Sequence, residues 1–127
     1  MKRYFRAAAL LLGLAACAHH NQLGQEEDVR QEPVAVHVRN ENFLDMNVYV
    51  IAGGVSRRLG TVTGNGSGDF SINWSVANGQ SLVMTAVPIG GSGRAVSPQL
   101  TVSPGQVIEF KIGSQLRQSA AVVHDPI

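Results

Sequence analysis

From residue 34 onward, hydrophobic and polar positions alternate with the period of two that is typical of β-strands. In Val34–Arg39 every second residue is a valine, so the valines share one face of a predicted strand and His37 lies on the other. The same pattern predicts six further strands: Met46–Ala52, Val55–Val62, Asp69–Trp74, Leu82–Val87, Arg94–Val102 and Val107–Ile112. Runs rich in glycine, asparagine or proline separate these strands and favour tight turns.

Three details of the pattern indicate how the strands are placed. At Gly60 the apolar series slips by one residue, which predicts a β-bulge. Leu82–Val87 is apolar on both sides and predicts a central strand, whereas Pro98 indicates that Arg94–Val102 lies at an edge. Short strands with no helical stretch between them predict an all-β fold, a single seven-stranded antiparallel β-sandwich over residues 34–113.

The stretch Leu100–Phe110, with Pro104 and Gly105 at its turn, resembles the closing hairpin of extracytoplasmic immunoglobulin-like and transthyretin-like sandwiches. This resemblance implies a fold and assigns no function. Residues 114–127 contain no convincing strand and are predicted to form a mobile C-terminal tail. As an alternative, Ala120–Val123 could add to a sheet edge.

The first sixteen residues have the layout of a signal peptide. Lys2, Arg3 and Arg6 precede the uncharged apolar run Ala7–Ala16. This run is much shorter than the roughly 20 residues that a membrane-spanning helix requires. We therefore expect residues 1–16 to direct export rather than to remain as an anchor.

The sequence Leu-Ala-Ala-Cys at residues 14–17 resembles the lipobox of bacterial lipoproteins. The resemblance implies cleavage before Cys17 and attachment of lipid to its sulfur, which would hold the protein to a membrane. Cys17 is the only cysteine, so no disulfide can form within the chain, and a lipid accounts for this thiol. By the same resemblance, Ala18 replaces the aspartate that retains many lipoproteins in an inner membrane. The outer membrane is favoured if the source has one.

Residues 17–33 are predicted to be the lipidated cysteine and a flexible tether, because the stretch is polar and lacks apolar periodicity. As a coil, residues 18–33 would have a root-mean-square length of about 20–25 Å. The formal charge of +1 includes the three basic residues of the signal peptide; without them, seven basic and nine acidic residues leave −2. That balance argues against nucleic acid as a partner, since phosphate binding needs a concentrated basic face.

The predicted domain offers little chemistry. His37 is its only histidine, and although Asp45 or Asp69 could lie near it, no serine stands in a recognisable nucleophile motif. The pairs His19-His20 and His124-Asp125 lack the spacing of a metal site. We therefore predict no catalytic residues, no metal site, no cofactor and no enzymatic activity.

Aromatic and basic residues supply the remaining candidates for binding. Trp74 has the parity of the core positions, so its interpretation as packing is favoured over a stacking platform. Tyr49 lies opposite the apolar face of its strand, and Arg57 and Arg58 follow on the next strand. Tyr49, Arg57 and Arg58 form the predicted interaction patch.

These features together predict a non-enzymatic, lipid-anchored lipoprotein of the cell envelope, facing outside the cytoplasm. Its β-sandwich would act as a protein-interaction or structural module, with another envelope protein as partner and an edge such as Arg94–Val102 open to strand addition. The alternative is an envelope lipoprotein that binds a small ligand or glycan in a concave pocket.

Overall fold

The computed structural model describes residues 32–77 and 79–127, except the side chain of Trp74. The described part of the chain is mostly β-structure. Its eight strands are β1 Val34–Asn40, β2 Met46–Ala52, β3 Val55–Val62, β4 Ser67–Ile72, β5 Leu82–Pro88, β6 Ala95–Val96, β7 Val107–Ile112 and β8 Ala120–His124. Two short helices interrupt them, α1 at Trp74–Ala77 and a 3-10 helix at Leu116–Gln118.

The strands form two four-stranded sheets. One sheet has the order β4-β1-β7-β8 and the other has the order β3-β2-β5-β6. We call them sheet A and sheet B. Every strand pair is antiparallel except β1 and β7, which run parallel.

An all-β fold was predicted, and it is confirmed at that level, with β5 central as expected. The prediction of seven strands, all antiparallel, is wrong on two counts. The sheets contain an eighth strand, and β1 pairs in parallel with β7, about seventy residues away in the chain. Local alternation identifies a strand and its faces but carries no information on the direction of a distant partner.

The inward faces of the two sheets share one hydrophobic core. The alternation that predicted the strands also assigns their core faces, since the valines of β1, every second residue of β2 from Met46, and Leu82, Met84 and Ala86 of β5 are buried. Val87 on the other face of β5 is exposed. The largest fully buried side chains are Phe110, Met46, Leu82, Met84, Ile108 and Ile112. Burial of these side chains stabilises the fold by about 1.5–3 kcal/mol each relative to exposure.

The bulge predicted at Gly60 is confirmed. Val48 pairs with Gly60 and Tyr49 pairs with Arg58, which leaves Leu59 without a partner on β2. A Cβ atom on Gly60 would lie 2.5 Å from Cε1 of Phe70, so glycine lets the ring of β4 approach the bulged strand.

Three predicted segments differ in the structure. The chain turns into α1 at Trp74 rather than continuing β4, because the carbonyl oxygen of Asn73 accepts the N–H of Val76 at 2.9 Å. The predicted edge strand Arg94–Val102 is reduced to β6, which does lie at an edge and ends before Pro98. The predicted mobile tail is wrong for residues 120–124, which form β8 along β7, as in the alternative expectation.

The strand directions define two ends of the domain. β1 starts at Val34, at one end of the domain. At the end where β1 finishes lie four turns, at residues 41–45, 63–66, 89–94 and 113–119. We call this second end the loop end and the first the N-terminal end. Seven residues of β1 place the two ends about 20 Å apart.

The predictions for residues 1–31, which include the signal peptide, lipid on Cys17 and most of the tether, lie outside the described residues. In the described part of the chain, no helix has the length and apolar character needed to cross a membrane.

Candidate functional site

Two buried asparagines shape the loop between β1 and β2. The side-chain oxygen of Asn40 accepts the N–H of Asn42, and that of Asn42 accepts the N–H of Leu44, both at 2.9 Å. Each is a turn in which the side chain replaces a backbone carbonyl. Because Asn40 and Asn42 are 1% and 7% exposed, these bonds are shielded from water and fix the path of the loop.

The same two amides tie the loop to its neighbours. Nδ2 of Asn40 donates to the carbonyl oxygens of Leu44 and Thr63, at 2.8 and 3.1 Å. Nδ2 of Asn42 donates to the carbonyl oxygen of Ser114 at 3.0 Å. The amides therefore connect three of the four turns at the loop end.

Asp45 connects the fourth turn, residues 89–94, to the other turns of the loop end. Its carboxylate accepts the N–H of Gly64 at 2.8 Å, and its carbonyl oxygen accepts the N–H of Ile89 at 2.8 Å. A Cβ atom on Gly64 would lie 2.1 Å from the carbonyl oxygen of Phe43, so only glycine allows this approach. All four turns of the loop end are thus held together by hydrogen bonds.

Phe43 lies at the tip of this assembly and is 78% exposed. Ile89, whose N–H bonds to Asp45, is also an exposed large hydrophobic residue. When an exposed aromatic side chain lies on a loop that is already held in place, little conformational entropy is lost on binding. Such residues often dominate protein interfaces. Phe43 is the residue of the loop end best suited to contact a partner.

Charged residues border the loop end on sheet A. The carboxylate of Glu41 lies 3.4 Å from Nε of Arg39 and 3.9 Å from Nζ of Lys111. Arg39 and Glu41 also line a polar cleft of about 420 Å³, together with Asn40, Asn65, Gly66 and Ser67. The sheet A side of the loop end is therefore polar and charged, as in the rim of many protein interfaces.

The predicted patch on sheet B is only partly assembled. Tyr49 and Arg58 are direct cross-strand partners and share the outer face. Arg58 donates to Asn47 and Thr61, at 3.0 and 2.7 Å, so its guanidinium group already has partners. Arg57 pairs with the buried Val50 and has the opposite parity to Arg58. The structure therefore brings Tyr49 and Arg58 together and separates Arg57 from them.

Two carboxylate–imidazole pairs lie on the outer face of sheet A. Nδ1 of His37 bonds to the carboxylate of Asp69, its cross-strand partner, and Nε2 of His124 lies 3.1 Å from Oε1 of Glu109. Such a pair is part of a catalytic triad, but no hydroxyl or thiol of the described residues hydrogen bonds to either ring.

His124 has hydrogen-bond acceptors at both ring nitrogens. Nδ1 donates to the backbone carbonyl oxygen of Asp125 at 2.7 Å, and Nε2 faces Glu109. Because both nitrogens can donate only in the imidazolium form, the Asp125 carbonyl first and the Glu109 carboxylate second raise the pKa of His124 above 6.5. This arrangement favours a proton over a metal ion at the predicted His124-Asp125 pair.

In the part of the chain that the structure describes, residues that could hold a metal are not clustered. Within residues 32–77 and 79–127, no group of three or more histidine, cysteine, aspartate or glutamate side chains could bind a metal ion. The pair His19-His20 lies outside these residues.

The sequence interpretation missed Phe43 because the hydrophobic alternation stops between β1 and β2. A local signal was present in the sequence. Asn40 and Asn42 flank Glu41 and stand just before Phe43, and asparagines at this spacing favour turns that their side chains close. Exposure of the aromatic, however, depends on the three other turns, which local sequence does not describe.

Comparisons with known proteins give no family for this chain. No family model matches it, and no curated protein does. A protein from Eubacterium rectale solved by NMR is similar with a TM-score of 0.48 and 13% identity, covering 76% of this chain and 92% of its own. A candidate cell adhesion protein from Bacteroides ovatus is similar with a TM-score of 0.44 and 7% identity, covering 77% of this chain and 46% of its own.

Proposed function

We propose that this chain is a non-enzymatic lipoprotein of the cell envelope, anchored by lipid on Cys17, whose loop end binds another envelope protein. The fold in this proposal is a β-sandwich of the immunoglobulin-like or transthyretin-like kind. The observation that carries the proposal is Phe43, exposed on a turn that buried asparagines hold in place.

The position of the loop end supports this function. The tether would join the domain at Val34, at the opposite end of β1, so it leaves the four turns unobstructed. Tyr49 and Arg58 on the outer face of sheet B are a second, more polar contact surface.

Binding of a small ligand or glycan receives less support. The cleft of about 420 Å³ beside the loop end is lined by charged and polar residues and glycine rather than by the apolar groups typical of ligand pockets. A second depression of about 190 Å³ on sheet A is shallow and small.

In-cell chemical crosslinking of the tagged protein, followed by mass spectrometry, tests the proposal. We expect a discrete envelope protein to be captured by the parent chain, and capture to fall at least about tenfold with Phe43→Ala or with Cys17→Ser. Because Phe43 is exposed, Phe43→Ala should change the free energy of unfolding by less than about 0.5 kcal/mol. Equal capture by the parent and Phe43→Ala would contradict the role of the loop end.

The anchor is tested separately by the intact mass of the protein taken from its own membranes. Cleavage before Cys17 with added acyl chains is expected. A free thiol on Cys17, or a chain that retains residues 1–16, would contradict the anchor and leave the assignment of the loop end untouched.

A further inference from the structure

Among the described strands, four lie at sheet edges: β4 and β8 in sheet A, β3 and β6 in sheet B. An unprotected edge pairs readily with another strand, and proteins usually block it with charges, proline or short length. β3 carries the exposed residues Arg57 and Arg58, β4 carries Asp69, and β6 has two residues and is followed by Pro98. β8 has no Lys, Arg, Asp or Glu within the strand and is longer than β6, although Pro126 follows it at the same distance as Pro98 follows β6.

β8 has the sequence Ala-Ala-Val-Val-His and contains no Lys, Arg, Asp, Glu or Pro. Ala121 and Val123 pack against the core, while Val122 is 58% exposed on the outer face. Alternate residues of β8 direct their N–H and C=O groups away from β7, and within the described part of the chain β7 is its only strand partner. The outer side of β8 is therefore a β-favouring edge whose one ionisable side chain, His124, lies at the end of the strand.

The strand is complementary to itself in an antiparallel arrangement. A two-fold axis at Val122 places Val122 opposite its own copy and Ala120 opposite His124 of the second copy. This register sets a small side chain against a large one and brings no like charges face to face. Ala120 and Val122 also line a depression of about 190 Å³ with Glu109, Lys111 and Ala121.

We propose that β8 is a self-association edge, through which a second copy of this chain joins the two A sheets into one eight-stranded sheet. The pairing leaves both loop ends free and places them at opposite ends of the dimer. With both tethers attached to one membrane, the strands of the dimer would lie along the bilayer. Pairing of two five-residue strands buries less than a standard interface of about 1,600 Å², so association is weak in solution and strengthens as the chain concentrates.

Sedimentation of the full chain carrying Cys17→Ser tests this proposal. The parent is expected to form dimers as its concentration approaches about 1 mM. Val122→Lys and Val122→Glu each place like charges at the two-fold axis and should remain monomeric, whereas an equal mixture of the two should dimerise again. Val55→Lys, at a residue of similar exposure on the β3 edge, is the matched control and should behave as the parent.

Urea unfolding checks that the Val122 variants keep the parent fold, as expected for an exposed position. A parent that stays monomeric to about 1 mM would overturn the proposal. Dimers of Val122→Lys equal to the parent, or a mixture that fails to associate, would also overturn it. If the mixture fails to associate, β8 pairs with a strand of a different protein or with no further strand.

Discussion

At the scale of single residues, the geometry of the loop end depends on the amides of Asn40 and Asn42. Asn40→Ala removes the hydrogen bonds that Nδ2 donates to the carbonyl oxygens of Leu44, Val62 and Thr63. It also leaves the N–H of Asn42 without its acceptor in a buried position. We expect the free energy of unfolding to fall by about 1–3 kcal/mol in urea denaturation. Asn47→Ala, whose hydrogen bonds are exposed, is the control and should cost less than about 0.5 kcal/mol. Equal losses would contradict a special role for the buried amides.

The stability of the folded domain depends on pH through His124. Its raised pKa means that the folded state holds the proton more tightly than the unfolded chain does. The resulting stabilisation is fully present below the unfolded pKa of about 6.5 and is lost as the pH rises through the higher folded value.

Titration of the His124 ring signals by NMR should give a midpoint above 6.5. Glu109→Gln, which removes the negative charge near Nε2, should lower that midpoint, whereas Asp69→Asn next to the other histidine should leave it in place. A His124 midpoint unchanged by Glu109→Gln would show that the carboxylate does not contribute.

At the scale of elements, two glycines of the loop end differ in what a side chain would meet. A Cβ on Gly64 meets the backbone of Phe43 at 2.1 Å, while a Cβ on Gly91 meets side-chain atoms, the end of Leu44 at 2.6 Å and the ring of Pro88 at 3.3 Å. Gly64→Ala should therefore displace the turn that carries Phe43 and cost about 1–3 kcal/mol, with Gly91→Ala clearly milder. Urea denaturation and the amide NMR shifts of residues 41–45 measure both effects. A silent Gly64→Ala would contradict the close approach.

β8 is expected to contribute to folding and not only to association. A chain that ends at Ser119 loses β8, with the packing of Ala121 and Val123 on the core, and should lose about 2–4 kcal/mol of stability. A chain that ends at Asp125 lacks only exposed residues and should match the parent to within about 0.5 kcal/mol. Equal urea midpoints for the two truncations would show that residues 120–124 behave as the predicted tail.

Element by element, the sequence predicts what local alternation encodes. The core face of β1, the bulge at Gly60 and the edge position of β6 follow from nearest neighbours in the chain. β8 was predicted only as an alternative, because two alanines give a weak apolar signal. The turn at Trp74 was missed because its parity continued that of β4, and helix α1 depends on backbone bonds to Asn73.

The candidate site was predicted less well than the fold. Tyr49 and Arg58 are cross-strand partners, and both lie on the outer face of sheet B. Arg57 was assigned to the same patch, although its register with Val50 gives it the other parity. Phe43 was missed because its exposure depends on contacts between turns that lie far apart in sequence.

At the scale of the whole molecule, the parallel pairing of β1 and β7 determines which turns meet. β1 carries the chain from Val34 away from the proposed tether, and β7 runs beside it to the same end. The turns that follow these two strands are therefore neighbours, and Asn42 bonds them directly to each other through Ser114. One end of the domain therefore lies next to Val34, where the proposed tether would join, and the other carries the four turns of the proposed contact surface.

Site-specific photo-crosslinking in cells tests whether the loop end is the surface that contacts a partner. A photoreactive residue is placed at Phe43 in one chain and, as the control, at Val55 in another. Val55 is also exposed but lies at the N-terminal end. We expect one discrete crosslinked protein from position 43 and little or none from position 55. Equal crosslinking from both positions, or none from position 43 in a folded and exported chain, would contradict it.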